Sequence, residues 1–236
     1  MNTQVLNVGE EKNTIVVMDD FLGGAEAEDL VAFASKSSFA PWPIAAERKG
    51  YPGVRAAAPE HHARMMMDRL DDVIRERFAV PESHELKIHQ ETLNLITVPE
   101  EELGPLQRAP HFDTSAPGLY AVLLYLCDES HGGTGFYQHK STGYETISPQ
   151  RVEHYLDRCY VEFNKFRRPK KYCLDSDDLF TRVGFVPAKF NRLVIYRGNT
   201  LHSANILSDK SISFSPVDGR LTANLFVSYE APQVNP

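Results

Sequence analysis

The sequence predicts a mainly β protein with supporting helices, arranged as a jelly roll of two sheets. Three observations predict it. Short apolar or alternating segments follow one another from residue 85 onward, with turn residues between them. Helical periodicity is concentrated ahead of them and in one later stretch near residues 148–166. No internal repeat or linker divides the 236 residues. One domain over 1–236 is therefore expected, with helical support in about 1–84, a jelly-roll core in about 85–230 and a helical insertion in about 148–178.

Composition narrows the function classes. The formal charge of −7 argues against non-specific nucleic-acid binding. No apolar run is long enough to span a bilayer, so no membrane is expected among the partners. The N-terminus has no basic region followed by an apolar stretch, hence no secretory signal is read. Cys127, Cys159 and Cys173 are odd in number and lack CxxC spacing. They argue against a disulfide framework and for a reducing, cytoplasmic setting. The basic run Lys165–Lys171 reads as a solvated helix end or loop, with a grip on an acidic substrate as the other reading.

Along the chain, Thr14–Met18 reads as a strand closed by Asp19-Asp20 and Gly23-Gly24. Residues 25–35 read as a helix with Leu30, Val31 and Ala34 on one side. Phe39–Pro59 reads as a loop whose Trp42, Tyr51 and Arg55 are candidates for a substrate entrance. His61–Phe78 is a stronger helix, and its methionines fall at core spacing rather than in a metal box. Residues 85–98 alternate as a strand, and Pro99–Ala109 is an acidic loop. Leu119–Leu126 is a buried strand, 131–135 a Gly-rich turn, and Phe136-Tyr137 the start of another strand, with Tyr137 a further stacking candidate. Ser148-Pro149 looks like a helix start, Ser as N-cap and Pro at the first helical position. Phe180–Val186, Leu193–Tyr196, the segment around His202 and Leu221–Tyr229 complete the strands.

The chemistry concentrates at His111-Phe112-Asp113. On a strand, alternate side chains share a face, so one imidazole and one carboxylate point together. His202 is the candidate third ligand. Two His and one carboxylate leave positions open on an octahedral metal, an arrangement suited to non-haem Fe(II) with O2 and an organic co-substrate. In Arg220-Leu-Thr222, alternation puts Arg and Thr on one face. An inward Arg in an apolar barrel needs an anion, and its fork matches a carboxylate.

With Pro110–Asp113, Ala121–Leu126, Gly132–Phe136, Asn191–Tyr196 with Leu201-His202, and Arg220–Thr222 in this order, the chain resembles the Fe(II)/2-oxoglutarate-dependent dioxygenases. The likeness is to their prolyl-4-hydroxylase-like branch, whose core is a double-stranded β-helix of the cupin-like jelly-roll kind. The resemblance implies His111, Asp113 and His202 as iron ligands and catalytic residues. It implies Arg220 on the distal carboxylate of 2-oxoglutarate, with Tyr125 and Thr222 as helpers. It implies O2 as co-substrate, release of succinate and CO2, and hydroxylation of a small metabolite or amino acid. A peptidyl residue is the other substrate class of that branch. Asp113 fills the position that related halogenases leave open for chloride, which favours hydroxylation.

Two departures from the pattern stand out. The 18-residue spacing from His202 to Arg220 is longer than usual, with residues 208–219 expected as a hairpin extension and Lys210 as a rival anchor. The strand before the metal motif lacks a tyrosine that many relatives carry, and Asn94 is the candidate replacement. Arg55 and Arg197 are candidate anchors for a substrate carboxylate or phosphate, and Trp42 and Tyr51 candidate stacking groups. The alternatives to the oxygenase reading are a cupin-like metal-bound non-redox enzyme, a ligand-binding jelly roll, and a structural domain with His111–Asp113 as a core pair.

Overall fold

The structure, a computed structural model, describes residues 2–41, 50–207 and 209–232; Trp42 lies outside them. Eleven strands and three α-helices are present among the described residues. The strands are β1 (Asn2–Val8), β2 (Asn13–Asp19), β3 (Ala40–Pro41), β4 (Gly53–Ala57), β5 (Glu85–Ile96), β6 (Leu119–Tyr125), β7 (Gly133–His139), β8 (Phe180–Pro187), β9 (Arg192–Arg197), β10 (His202–Asn205) and β11 (Leu221–Glu230). The helices are α1 (Gly24–Ala34), α2 (His62–Phe78) and α3 (Val152–Lys165). An eight-stranded sheet runs β1-β2-β9-β6-β11-β5-β4-β3, and a three-stranded sheet runs β10-β7-β8. Every pairing is antiparallel, as the jelly-roll expectation requires.

Strand β6 shows why its sequence is apolar without a break. Tyr120, Val122 and Leu124 pack with Leu30, Met66, Leu70 and Ile74 of the helices. Ala121, Leu123 and Tyr125 point the other way, towards Phe136 and Val186 of the smaller sheet. A strand buried on both faces has no polar side to alternate with. In β11 only one face is apolar throughout: Leu221, Ala223, Leu225 and Val227 join the helical layer. The intervening Thr222, Asn224 and Phe226 line the cleft between the sheets. Each large apolar side chain withdrawn from water contributes roughly 1.5–3 kcal/mol. A one-residue slip would turn that whole set outward, so the register is firmly specified.

Helix α2 buries Met66 and Met67 as core, as its periodicity indicates. Helix α1 opens with the Gly23 amide donating to the Glu26 carboxylate at 2.8 Å. No helix among the described residues is long and apolar enough to cross a membrane. The three cysteines are free and buried.

Several expectations need correction. Residues 53–57 are a strand paired with β5, and 40–41 pair with β4, so Phe39–Pro59 is not a plain loop. The chain begins with a β-hairpin, β1–β2, that forms one edge of the large sheet rather than part of a helical layer. The Gly-rich segment 133–135 belongs to β7, because glycine there lets β10 and β8 approach. A Cβ on Gly135 would sit 2.4 Å from Asn205 Oδ1, and one on Gly133 2.3 Å from Val186 O. Helix α3 starts at Val152, not at Ser148-Pro149; the Ser148 carbonyl closes a preceding turn by accepting from the Arg151 and Val152 amides at 3.0 Å. Among its described residues, segment 208–219 forms one 3-10 turn (Asp209–Ser211) and no hairpin strand. The basic run is not wholly solvated. Arg168 turns inward, donating to Arg108 O at 2.8 Å and pairing with Asp177 at 2.5 Å.

Candidate metal centre

His111 and Asp113 precede β6, and His202 opens β10 in the other sheet. Main-chain bonds bring them together. His111 and His202 form an isolated antiparallel bridge, each amide donating to the other's carbonyl at 2.8 Å. The Asp113 amide donates to Gly198 O at 2.7 Å. One potential ligand atom from each residue falls within 4.8 Å of the others. His111 Nε2 lies 4.0 Å from Asp113 Oδ1, and His202 Nε2 lies 3.8 Å from Asp113 Oδ2. His202 Nδ1 lies 2.9 Å from the Thr200 carbonyl, which fixes Nδ1–H as the donor and leaves Nε2 as the ligand atom. The Tyr196 ring packs on the His202 ring with centroids 4.7 Å apart.

The electrostatics suit a cation. Burial holds His202 and His111 at about 4, and repulsion from His202 adds to the effect at His111. Burial pushes Asp113 up to about 6, against the opposing pull of His111 and Arg55. The His111 side chain keeps 56% of its surface accessible, but that surface faces a cavity walled by protein. Both imidazoles are therefore neutral and ready to ligate at neutral pH. A carboxylate whose ionised form is disfavoured gains from a divalent ion beside it.

The triad opens on a cavity of about 520 Å³ between the sheets. Arg220, Thr222 and Thr134 line its polar end; Phe112, Tyr155 and Phe163 contribute to an apolar wall. Arg220 is 2% exposed. Its Nη2 donates to Gly133 O at 3.1 Å, its Nε has no partner, and no carboxylate pairs with it among the described residues. A buried cation without a counter-charge is strongly unfavourable, so the donor set fits an anion with paired oxygens. The residues present thus fit both a divalent metal and a carboxylate-bearing co-substrate.

The remaining sequence candidates divide. Tyr51 and Arg55 line the cavity, and the Arg55 guanidinium lies 4.9 Å over the Tyr51 ring. Thr222 pairs with Tyr125 across β11 and β6, and its hydroxyl donates to Asn224 Oδ1 at 2.8 Å. Tyr125 is fully buried, its hydroxyl 2.6 Å from that of Thr134, with Arg220 Cζ 5.5 Å from its ring centroid. Arg197 is a correction. Its guanidinium donates to the carbonyls of Pro117 and Phe78 and to the Tyr120 hydroxyl, on the helical side of the large sheet and away from the cavity. Tyr137 is likewise committed to structure, donating to Cys173 O and accepting from Asn205. Lys210 lies at a separate surface hollow with His131 and Asp218, which leaves Arg220 as the cation of the cavity's polar end. Asn94 turns onto Thr92, accepting from its hydroxyl and donating to its carbonyl.

The sequence reading missed Thr134, Tyr196 and the α3 wall. The first two lie inside motifs already quoted, but the role of α3 depends on how the insertion folds back.

Comparison with solved structures gives the same fold. The non-haem α-ketoglutarate-dependent carbocyclase SnoK from nogalamycin biosynthesis superposes with a TM-score of 0.54 at 13% identity, covering 92% of this chain and 79% of that one. HygX from Streptomyces hygroscopicus, crystallised with nickel, 2-oxoglutarate and hygromycin B, gives 0.50 at 10% identity, covering 92% and 82%. No curated protein matches the chain. A family model does match over residues 1–227, and the chain belongs to that family, the family of unknown function DUF6445.

Proposed function

We propose that the protein is an Fe(II)- and 2-oxoglutarate-dependent oxygenase that hydroxylates a small organic molecule. The observation that carries this reading is Arg220: a buried guanidinium with an unpartnered Nε in the same cavity as a His–Asp–His cluster. A cupin-like non-redox enzyme would keep the cluster but would not need that cation as an oxo-acid anchor.

His111, Asp113 and His202 would hold the iron, and Arg220 would take the distal carboxylate of 2-oxoglutarate, with Thr222 turning its hydroxyl from Asn224 Oδ1 to join it. Tyr125 supports this end through Thr134 and its ring contact with Arg220. When bound, iron and 2-oxoglutarate supply the oxidising power: O2 is consumed, 2-oxoglutarate becomes succinate and CO2, and the substrate gains a hydroxyl group. The chain supplies the geometry. Thr200 and Tyr196 orient His202. As the third iron ligand, Asp113 would fill the position that a halide needs, which favours hydroxylation. Phe112, Tyr155 and Phe163 exclude water from one wall, while Arg55 presents a cation for the substrate side. A cavity of about 520 Å³ suits a metabolite-sized substrate. A side chain of a peptide is the second substrate class that this space admits.

The test is co-substrate turnover. Protein reconstituted with Fe(II) and given 2-oxoglutarate in air should form succinate slowly without substrate, and faster with the right member of a metabolite panel. His202→Ala should form none. Stoichiometric iron binding without any succinate would overturn the proposal.

A further inference from the structure

We propose that Tyr51 donates a hydrogen bond to the distal carboxylate of the bound 2-oxo acid, beside Arg220 and Thr222. The inference rests on the oxygenase reading above and adds to it a residue from outside the jelly-roll motifs.

Two unpartnered polar atoms mark the place. The Tyr51 hydroxyl and Arg220 Nε are both buried with no hydrogen-bond partner among the described residues, and both residues line the one cavity. The Tyr51 hydroxyl lies within electrostatic range of Arg220 and beside Thr222, though outside good hydrogen-bond geometry. Burial pushes the phenol up to about 12, so it carries its proton and acts as a donor. Two desolvated donors on residues that wall one cavity need an acceptor, because a buried N–H or O–H without one is costly. A carboxylate is the acceptor-only group that meets a guanidinium and a hydroxyl at once.

Other tyrosines nearby are already engaged. Tyr125 lies 2.6 Å from the Thr134 hydroxyl, and Tyr172 donates to Val98 O at 2.6 Å. Local backbone explains how Tyr51 reaches the wall. The Gly53 amide donates to Tyr51 O at 2.9 Å, and the Pro52 carbonyl accepts from the Thr97 and Val98 amides. Gly53 packs so tightly on β5 that a Cβ there would lie 1.8 Å from Leu95 O. The turn is therefore pinned to β5, and the Arg55 guanidinium covers the Tyr51 ring.

The test compares two oxo acids on anaerobic Fe(II)-loaded protein, read by the visible charge-transfer absorbance of the chelate. One is 2-oxoglutarate; the other, 2-oxobutyrate, lacks the distal carboxylate. Tyr51→Phe should weaken 2-oxoglutarate about tenfold, the usual loss of one hydrogen bond to a charged group. It should leave 2-oxobutyrate binding unchanged, and the metal-free protein should melt no lower than wild type, because the hydroxyl removed has no partner. Unchanged 2-oxoglutarate affinity, equal weakening of both acids, or a lower melting temperature would each overturn the assignment. Failure of wild type to bind either acid would instead overturn the oxygenase reading, and this inference with it.

Discussion

His111 and His202 are joined by their backbones: each donates its amide to the other's carbonyl at 2.8 Å, across an antiparallel bridge that links the segment before β6 to the smaller sheet. The two imidazoles, with ring centroids 4.3 Å apart, thus stand on neighbouring backbones held by main-chain bonds. Because the bridge is main-chain only, the side chains of His111 and His202 should be replaceable one at a time while it persists.

Metal affinity should follow Asp113 rather than the histidines. Burial holds both imidazoles at about 4 and raises Asp113 to about 6. The protonated carboxyl is therefore the favoured form below pH 6, and the metal must displace its proton. Lowering the pH from 7 to 5 should reduce apparent affinity about tenfold, with one proton released per ion at pH 5. Calorimetric titration in two buffers of different ionisation enthalpy counts those protons. Two protons released with midpoints near 6.5 would show that the histidines control binding.

Glu145 should matter for stability rather than for the site. It is fully buried and accepts from the amides of Glu10 (2.8 Å) and Glu11 (3.2 Å) and from Asn13 Nδ2 (3.0 Å), clamping the turn of the β1–β2 hairpin. Its carbonyl also accepts from the Leu201 amide, next to His202. Glu145→Ala should cost about 2–4 kcal/mol in denaturant unfolding, since four donors, Gln138 Nε2 among them, lose their acceptor. Metal stoichiometry should stay at one per chain.

Arg197 should behave as a structural residue too. It ties the end of α2 to the large sheet through Phe78 O, Pro117 O and the Tyr120 hydroxyl. Arg197→Ala is expected to lower unfolding free energy by roughly 1–3 kcal/mol while 2-oxoglutarate binding stays within twofold of wild type. A large loss of affinity at unchanged stability would return Arg197 to the binding site.

Helix α2 ends on Ala79 in the left-handed region, φ 53°. Glycine adopts that conformation without the Cβ penalty. Ala79→Gly should therefore stabilise the protein by about 0.5–1 kcal/mol, measured as a shift in denaturation midpoint at constant slope.

How much of this was legible in the sequence depended on burial. Strands β6 and β11 and helix α2 bury long apolar faces, so their periods stood out. The His-x-Asp spacing and the Arg-x-Thr alternation translate directly into shared faces. β1 escaped notice because most of it is exposed at a sheet edge and carries little apolar pattern. β4 was hidden by its Pro- and Gly-containing surroundings and its small residues, Ala56 and Ala57, although its pairing with β5 carries Arg55 to the cavity. Arg197 and Arg220 both sit at strand ends, and their local sequences do not reveal that one guanidinium clamps a helix end while the other faces the cavity. Tyr51 reaches the cavity through a turn pinned to β5, a long-range contact with no periodic signature.

The most direct measurement is anaerobic. Fe(II) and then 2-oxoglutarate are added to metal-free wild type, His202→Ala and Arg220→Ala, and the visible charge-transfer band of a chelated 2-oxo acid is followed. The expected result is a saturable band in wild type, none in His202→Ala, and in Arg220→Ala a band only at far higher 2-oxoglutarate concentration. Tight iron binding by wild type with no band at any 2-oxoglutarate concentration would contradict the assignment of the site.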